Sequence, residues 1–449
     1  MNTKLMNFIE NKMLPIANKM AMNKYLISVK DGFVFSMPFL IVGSFILLFL
    51  NLPFTDKSNF MYMAWYDNFI TAFKSDLMQP FYVSMGIMSL FVAYGIGYSL
   101  AGNYKLNSIT GGFLSLFGFL IVSAKVESVP IAETVAKSFL VEANSQISVM
   151  DFRFMDAKGL FVAIIFSIIS IEIFRFLVKK KFIITLPDSV PPAIAKSFEL
   201  LIPIAVITVL FQGFNLIIQK KLYIMIPELI MKLFEPLLKV SDSLPSIILI
   251  LFLIHLLWFA GLHGTLILDA VVKAISLSNL AINQAALQAG EPITKIWSGS
   301  FFDLYCFMGG VGTTLGLAIA MIRSKNEHIK SIGKLSIIPA IFNINEPIMF
   351  GAPIVMNPIF MIPFIFLPIL NGTIAWIFTK LNIVGHIVTL VPWTTPAPLA
   401  AWLATNFNIG SAILCIALIF LSYLIYTPFL KAYEVSLEKE NEKENVKKD

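Results

Sequence analysis

The chain has 449 residues, of which 57% are hydrophobic and only 13% are charged, and its formal net charge is +6. This composition excludes a water-soluble globular protein and indicates an all-α membrane protein, because uncharged runs of spanning length recur and do not alternate polar and apolar residues as β-barrel strands do. The lysines and arginines lie at the ends of these runs, as topology signals do, so the charge predicts a lipid bilayer and no nucleic-acid partner.

The amino-terminal half begins with a basic segment, residues 1–32, which holds five lysines against one glutamate and one aspartate. This excess of lysine places the amino terminus in the cytoplasm. Residues 33–218 are predicted to form an amino-terminal membrane domain. Its five spans are Phe33–Leu52, Pro80–Leu100, Ile109–Ala124, Leu160–Val178 and Leu201–Ile218. In the fourth span, Glu172 and Arg175 are three residues apart on one helix face, so we expect a structural ion pair there rather than a transport role.

Residues 219–245 change the pattern, because their charged and apolar side chains fall on different faces of a helix. Glu228, Lys232, Glu235 and Lys239 recur every three or four residues, while leucines and isoleucines line another face. Such a helix fits a membrane surface between two blocks of spans, so the sequence predicts an amphipathic connector. A short soluble helix packed on the protein would leave the same pattern.

Residues 246–430 are predicted to form the transport domain, since glycines and prolines interrupt their apolar runs. Non-helical backbone at membrane depth is tolerated where it lines a cavity, and transporters hold their substrates at such places. In the stretch FNINEPIMFGAPIVMNP, Pro347 directly follows Glu346, while Asn343 and Asn345 offer donors and acceptors at the break. A carboxylate exposed to hydrocarbon is costly, so we predict that Glu346 faces a ligand; the alternative is that it caps loose backbone groups.

Two further stretches hold candidate binding residues. Gly261 and Gly264 bracket His263, whose imidazole could hydrogen-bond a hydroxyl or a phosphoryl oxygen, or could equally be a satisfied core histidine. His255 has no such glycines and is assigned to structure. Trp393 lies between prolines in VPWTTPAP, where its indole could stack on a sugar or could equally lie at the membrane interface.

The remaining polar features are interpreted as structural. The stretch FFDLYCFMGGVGTTLGLAIAMIR is predicted to be one span, with Asp303 and Arg323 as boundary charges. Cys306 and Cys415 lie inside apolar segments without a CxxC motif, which supports neither a disulfide nor a metal site. No Walker A or dinucleotide motif occurs, so we predict no cofactor. The mixed-charge tail, residues 431–449, is predicted to be disordered in the cytoplasm.

Several long motifs together resemble enzyme IIC, the membrane component of bacterial phosphoenolpyruvate-dependent sugar phosphotransferase systems, in the lactose, cellobiose and diacetylchitobiose family. These motifs are NKYLISVKDGFVFSMPFLIVGSFILL, LPDSVPPAIAKSF, WFAGLHG, FFDLYCFMGGVGTTLGLAIAM, SIIPAIFNINEPIMFGAPIVMNP and VPWTTPAP. The resemblance covers nearly the whole chain. It implies about ten transmembrane helices, re-entrant hairpins that hold the substrate, dimerisation through the amino-terminal domain, and a bacterial plasma membrane location with both termini in the cytoplasm.

The resemblance also implies roles for the matching residues. Glu346 would bind the hydroxyl that receives the phosphoryl group and could act as its base, His263 would lie beside that hydroxyl, and Trp393 would contact the sugar. Asn343 and Asn345 complete the expected substrate site. The substrate would be a disaccharide, and the phosphoryl donor would be the phosphocysteine of a partner, enzyme IIB, which depends in turn on enzyme IIA.

Two alternatives bear on this expectation. Lactose-type members often carry a fused IIB domain, and the short tail after the last span favours a cellobiose or diacetylchitobiose type with separate partner subunits. Outside the family, an ion-coupled symporter that releases unmodified sugar would also suit broken helices and a buried carboxylate.

Overall fold

A computed structural model of the protein describes residues 14–52, 54–55, 57, 62–130, 146–187, 189–191, 198–352 and 354–446. Parts of four predicted segments lie outside these residues. They are residues 1–13 of the basic segment, residues 188 and 192–197 of the LPDSVPPAIAKSF motif, Pro353 of the FNINEPIMFGAPIVMNP stretch, and residues 447–449 of the tail.

Helices make up most of the described chain. The earlier ones are α1 Leu14–Ala21, α2 Lys24–Leu50, α3 Ala64–Leu77, α4 Gln79–Tyr82, α5 Met88–Asn103, α6 Ser108–Ser123, α7 Leu160–Lys179 and α8 Leu201–Leu222. The later ones are α9 Ile226–Ser241, α10 Leu244–Phe259, α11 Gly264–Ala289, α12 Phe301–Tyr305, α13 Leu315–Ile322, α14 Glu327–Ile341, α15 Glu346–Gly351, α16 Pro358–Lys380, α17 Ala397–Ala404 and α18 Ile409–Val446. Four of the five predicted amino-terminal spans correspond to the continuous helices α2, α6, α7 and α8, whereas Pro80–Leu100 is divided between α4, a 3₁₀ turn at Met85–Ile87 and α5.

The chain divides into two compact units. The amino-terminal unit comprises Lys24–Leu40 and Tyr82–Pro236, and the carboxy-terminal unit comprises Met1–Asn23, Ile41–Phe81 and Leu237–Asp449. Residues 41–81, which lie within the predicted amino-terminal domain of residues 33–218, thus group with the later helices. One reason is a buried hydrogen bond of 3.2 Å, in which the Gln284 side chain of α11 donates to the Ser44 hydroxyl of α2.

In the amino-terminal unit, small residues let helices approach closely. A Cβ added at Gly97 of α5 would overlap the Ser115 side chain and the Gly111 carbonyl of α6. Likewise, a Cβ at Gly95 would lie 2.8 Å from the Gly32 Cα of α2. Helices in lipid gain little from hydrophobic burial and associate through such close backbone packing, so these glycines fix the bundle.

The predicted ion pair in α7 is confirmed. The Arg175 guanidinium lies 3.2 Å from one Glu172 carboxylate oxygen, and the Tyr104 and Tyr25 hydroxyls donate to the other oxygen at 2.6 and 3.1 Å. Arg175 also stacks over the Tyr104 ring, 4.0 Å from its centroid. The charges are therefore satisfied inside one unit, as expected for a structural cluster.

A pair of strands departs from the all-α prediction. Strand β1, Val126–Pro130, pairs antiparallel with β2, Gln146–Met150, with Val126 opposite Met150. Both strands carry β-branched side chains, which favour extended backbone. The two strands lie in the polar part of the chain between α6 and α7, so the membrane-spanning elements remain helical.

The predicted connector forms α9. Its Phe234 ring stacks on Phe161 of α7, with 4.2 Å between the centroids, and its Glu228 carboxylate lies 3.9 Å from the Arg153 guanidinium. After Ser241 the chain bends by 82° into α10. An amphipathic helix at this point is confirmed, while its position at a membrane surface stays a prediction.

The expected count of about ten spanning helices is not confirmed by the length and apolar composition of the helices. Among the described residues, seven helices are long and apolar enough to cross a membrane, or up to eight if the bent pair α9 and α10 forms one span. Several apolar segments of the carboxy-terminal unit are too short to cross alone, because loops interrupt them.

The tail also differs from the prediction of disorder, because α18 continues to Val446. Glutamate and lysine are strong helix formers, which favours this extension. Beyond the span, the Tyr433 ring packs 5.2 Å from that of Phe360. Leu437 packs against the buried apolar cluster that contains Phe360, and Glu434 accepts a hydrogen bond from the Ser324 hydroxyl. Side-chain contacts therefore hold the first turns after Leu430 in helical form.

Candidate functional site

The break predicted at Glu346 is present between α14 and α15. Asn343 adopts a left-handed backbone (φ 63°), and Asn345 precedes the short helix α15. Pro347 is tolerated there because the first turn of a helix leaves its backbone N–H groups unpaired anyway. Ile348 and Met349 of α15 are buried, whereas Glu346 is exposed. The local sequence thus directs the Glu346 side chain away from the apolar core.

The asparagines of this break hold neighbouring backbone segments. The Asn343 amide nitrogen donates to the carbonyls of Trp393 and Thr395 at 2.6 and 3.1 Å, and its oxygen accepts from the Gly309 N–H at 2.9 Å. The Asn345 amide donates to the Val311 carbonyl at 2.7 Å. These contacts assign both amides to positioning, and direct contact of either with a sugar stays a prediction.

The stretch predicted as one span from residue 301 to 323 is broken, which corrects that prediction. Helices α12 and α13 are separated by a loop of residues 306–314, in which Gly309, Gly310 and Gly312 all have positive φ. A Cβ at Gly310 would overlap the Asn345 side chain. Glycine is required at these points, so the loop can lie directly beneath the Asn343 and Asn345 amides.

His255 is structural, as predicted. It is fully buried, its Nδ1 donates to the Leu251 carbonyl at 2.7 Å, and its Nε2 accepts from the Gly312 N–H at 3.2 Å. Both ring nitrogens are therefore used, and the residue fixes the glycine-rich loop against α10.

His263, by contrast, is exposed at the start of α11, where it is the N-cap residue. Its Nδ1 accepts from the Leu266 N–H at 3.3 Å and lies 2.9 Å from the Thr265 hydroxyl, while its ring packs 4.2 Å from that of Trp258. A Cβ at Gly264 would overlap the Ile254 carbonyl, which explains why glycine follows the histidine. The ring is thus held in one place at the end of a helix.

Trp393 is half exposed, at 49%, on an irregular segment between α16 and α17. The Ser300 hydroxyl donates to the Val391 carbonyl at 3.1 Å, and the Thr395 N–H donates to the Pro392 carbonyl at 3.0 Å, which closes a turn around the tryptophan. These contacts hold the backbone while the indole stays accessible.

Backbone contacts connect the three candidate segments within the carboxy-terminal unit. Asn343 joins the Glu346 segment to the Trp393 segment through the bonds above. On the other side of α15, the Met356 N–H donates to the Phe259 carbonyl at 3.0 Å, and a Cβ at Gly261 would lie 3.5 Å from the Val355 side chain. The segments that carry Glu346, His263 and Trp393 are therefore built against one another, although they are far apart in sequence.

A set of polar residues on α11 supports the site and is missing from the sequence prediction. Asn283 donates to the Ile387 carbonyl at 2.9 Å, and Gln284 donates to the Val388 carbonyl at 3.0 Å. Both are buried, and they fix the irregular chain that leads to Trp393. Neighbouring amides in an apolar helix are the signal that could have revealed them, since polar groups in a membrane interior need partners.

The family model described as "Phosphotransferase system, EIIC" matches residues 30–368 of the chain. The chain belongs to this family. As an EIIC protein, it is the membrane-embedded sugar permease component of a phosphotransferase system and works with IIB and IIA components. Membership favours this function over that of an ion-coupled symporter.

Named relatives of this EIIC chain agree with that assignment. It is 35% identical over 448 residues to the lichenan permease IIC component of Bacillus subtilis (strain 168), covering 99% of this chain and 97% of that one. It is 34% identical to the cellobiose-specific EIIC component of Geobacillus stearothermophilus, covering 96% and 94%. The crystal structure of ChbC, the IIC component of an N,N'-diacetylchitobiose-specific phosphotransferase system, is 36% identical with a TM-score of 0.86, covering 97% and 99%.

Proposed function

We propose that this EIIC component binds a disaccharide of the cellobiose or diacetylchitobiose type through Glu346, His263 and Trp393, and presents a sugar hydroxyl to phosphorylated IIB. The observation that carries the proposal is the convergence of three separate segments, each of which exposes one side chain suited to sugar while its backbone is fixed by buried partners. The names of the cellobiose and diacetylchitobiose relatives support this substrate class.

The proposed transfer assigns a role to each atom that reacts. The sugar hydroxyl oxygen attacks phosphorus, the bond between phosphorus and the IIB cysteine sulfur breaks, the thiolate leaves, and Glu346 receives the hydroxyl proton. Phosphoryl transfer depends on alignment and charge stabilisation more than on a strong base, so one carboxylate and one imidazole are sufficient. Cys306 and Cys415 are both buried, which favours a donor cysteine on a partner protein.

Vesicles containing the protein test this proposal directly. Supplied with labelled cellobiose or diacetylchitobiose, they should accumulate phosphorylated sugar only when phosphorylated IIB is present. Accumulation of free sugar driven by a proton gradient alone would instead identify a symporter.

Substitution of Glu346 tests the assignment of the site. Glu346→Gln keeps the shape of the side chain but removes its charge and its capacity to accept a proton, so we expect loss of sugar phosphorylation with little change in folding. The matched control combines Glu172→Gln and Arg175→Gln in the amino-terminal unit, where a partly exposed ion pair contributes about 1 kcal/mol or less. Equal loss of transport in both proteins would show that the site is misassigned.

We also propose that the protein forms a homodimer through its amino-terminal domain, with both termini in the cytoplasm. The support is the family resemblance together with the lysines at the end of α7, Lys179 to Lys181, whose charge favours the cytoplasmic side. Cross-linking in native membranes would reveal the dimer, and labelling of single cysteines added at the two ends would report their side.

A further inference from the structure

The local geometry of His263 indicates which of its ring nitrogens carries the proton. A backbone N–H can only donate, and the Leu266 N–H is directed at the His263 Nδ1 at 3.3 Å. This nitrogen therefore offers its lone pair, and the ring proton lies on Nε2. The Thr265 hydroxyl, 2.9 Å from the same Nδ1, then acts as a second donor.

The surrounding residues keep the ring in this orientation. His263 is the N-cap of α11, and an N-cap side chain accepts from an N–H of the first helical turn. The Trp258 ring lies 4.2 Å from the imidazole, and the missing Cβ at Gly264 lets α11 begin directly against the Ile254 carbonyl. Moving the ring proton from Nε2 to Nδ1 would break the cap, because a proton on Nδ1 would face the Leu266 N–H.

We infer that Thr265 and the Leu266 backbone amide are positioning groups that keep the His263 proton on Nε2. This inference rests on the proposed function, and it divides the chemistry between the two ionisable side chains of the site. The Nε2–H donates a hydrogen bond to a sugar hydroxyl or phosphoryl oxygen and takes up no proton during transfer. The proton released as the oxygen–phosphorus bond forms goes to Glu346, while the IIB thiolate leaves with the electrons of the sulfur–phosphorus bond.

Two substitutions of His263 separate its role as a helix cap from its role as a donor, because each copies one ring nitrogen. In His263→Asn, the short amide reaches the Nδ1 position, and asparagine is among the best N-cap residues, so thermal stability should be retained. In His263→Gln, the longer amide can place an N–H near the Nε2 position but loses the cap. We expect the glutamine protein to be the less stable of the two, yet to bind sugar about fivefold more tightly, the size of one neutral hydrogen bond.

The opposite ranking would overturn the inference. Sugar binding is measured with the full chain in lipid nanodiscs. If His263→Asn bound sugar as tightly as His263→Gln, or more tightly, the sugar affinity would depend on the Nδ1 side of the ring or on the helix cap and not on a donor at the Nε2 position. Nitrogen-15 NMR of histidine-labelled protein gives an independent result that requires neither sugar nor IIB. The signal that disappears in His263→Gln should be that of a ring protonated on Nε2, and a ring protonated on Nδ1 would refute the proposal.

Thr265 is tested by an isosteric change and its rescue. Thr265→Val removes the hydroxyl but keeps the shape of the side chain, so the phosphorylation rate should fall about threefold or more while the melting temperature changes little. Thr265→Ser restores the hydroxyl and should recover the rate. A valine protein as active as the wild type would remove Thr265 from the positioning role. If the wild type itself fails to phosphorylate sugar with IIB, the proposed function fails, and the NMR result still decides the proton position.

Discussion

Replacing Asn343 with aspartate would test whether one amide joins the Glu346 segment to the Trp393 segment. The Asn343 side chain is only 8% exposed, and its nitrogen donates to two carbonyls, those of Trp393 and Thr395, at 2.6 and 3.1 Å. Aspartate keeps the oxygen that accepts from the Gly309 N–H but replaces both donors with an acceptor. The variant therefore removes the connection without changing the size of the side chain.

The size of the effect follows from the two carbonyls that lose their donor. Leaving a buried acceptor unpaired costs about 1–3 kcal/mol, so the two carbonyls together lower the free energy of unfolding by about 2–6 kcal/mol. For a unit of this size, such a change corresponds to a decrease in melting temperature of at least about 3 °C. Sugar affinity should fall as well, since the Trp393 backbone loses its fixed position.

Thermal unfolding in detergent and sugar binding in nanodiscs would measure both effects. Asn382→Asp is the matched control, because Asn382 also has a left-handed backbone (φ 55°) but is exposed, so its melting temperature should stay within about 1 °C of the wild type. If Asn343→Asp unfolded at the same temperature as this control and kept its sugar affinity, the hydrogen bonds of Asn343 would not be what holds the site.

Two other predictions concern the glycine-rich loop and the segment that follows strand β2. Gly310→Ala should lower the melting temperature far more than Gly290→Ala, because both have positive φ but only the former would overlap another side chain; equal decreases in thermal-shift measurements would contradict this. The hydrogen bond from Arg153 lowers the pKa of Asp151 below its ordinary value of 3.8. The contact therefore stabilises the folded state fully at pH values above 3.8, and this stabilisation is lost as the pH falls through the lowered pKa. The protection factors of amides near Asp151, which correct for the slower intrinsic exchange in acid, should therefore fall at low pH, and protection factors unchanged at low pH would argue against the contact.

The membrane class and most of the helices could be predicted from local sequence. Long uncharged runs determine that helices such as α7 and α8 form, because a bilayer leaves unpaired backbone groups no other partners. The pair Glu172 and Arg175 was equally predictable, since residues three apart on a helix are neighbours. Proline after Glu346 likewise revealed the break between α14 and α15.

Other features depend on partners far away in the chain. The amide of Asn343 looked like a ligand group in sequence, but it is engaged by Trp393 and Thr395, 50 and 52 residues further on. The run from residue 301 to 323 looked like one span, because its apolar composition hides three glycines with left-handed backbone, two of which pack against the distant side chains of Asn345 and Phe364. The tail was predicted to be disordered but is helical for a similar reason, because Tyr433 and Leu437 pack against apolar side chains that are distant in the sequence.

By itself, the amino-acid sequence determined that this protein is a helical membrane protein and that a carboxylate lies at a helix break in its carboxy-terminal half. Composition and local spacing suffice for this, because a bilayer penalises charge and unpaired backbone wherever they occur. Only the tertiary structure decided which polar groups hold the site together and which face outward. Hydrogen bonds join residues without regard to their separation in sequence, so whether an amide or an imidazole nitrogen is occupied or available is settled only when its distant partners are in place.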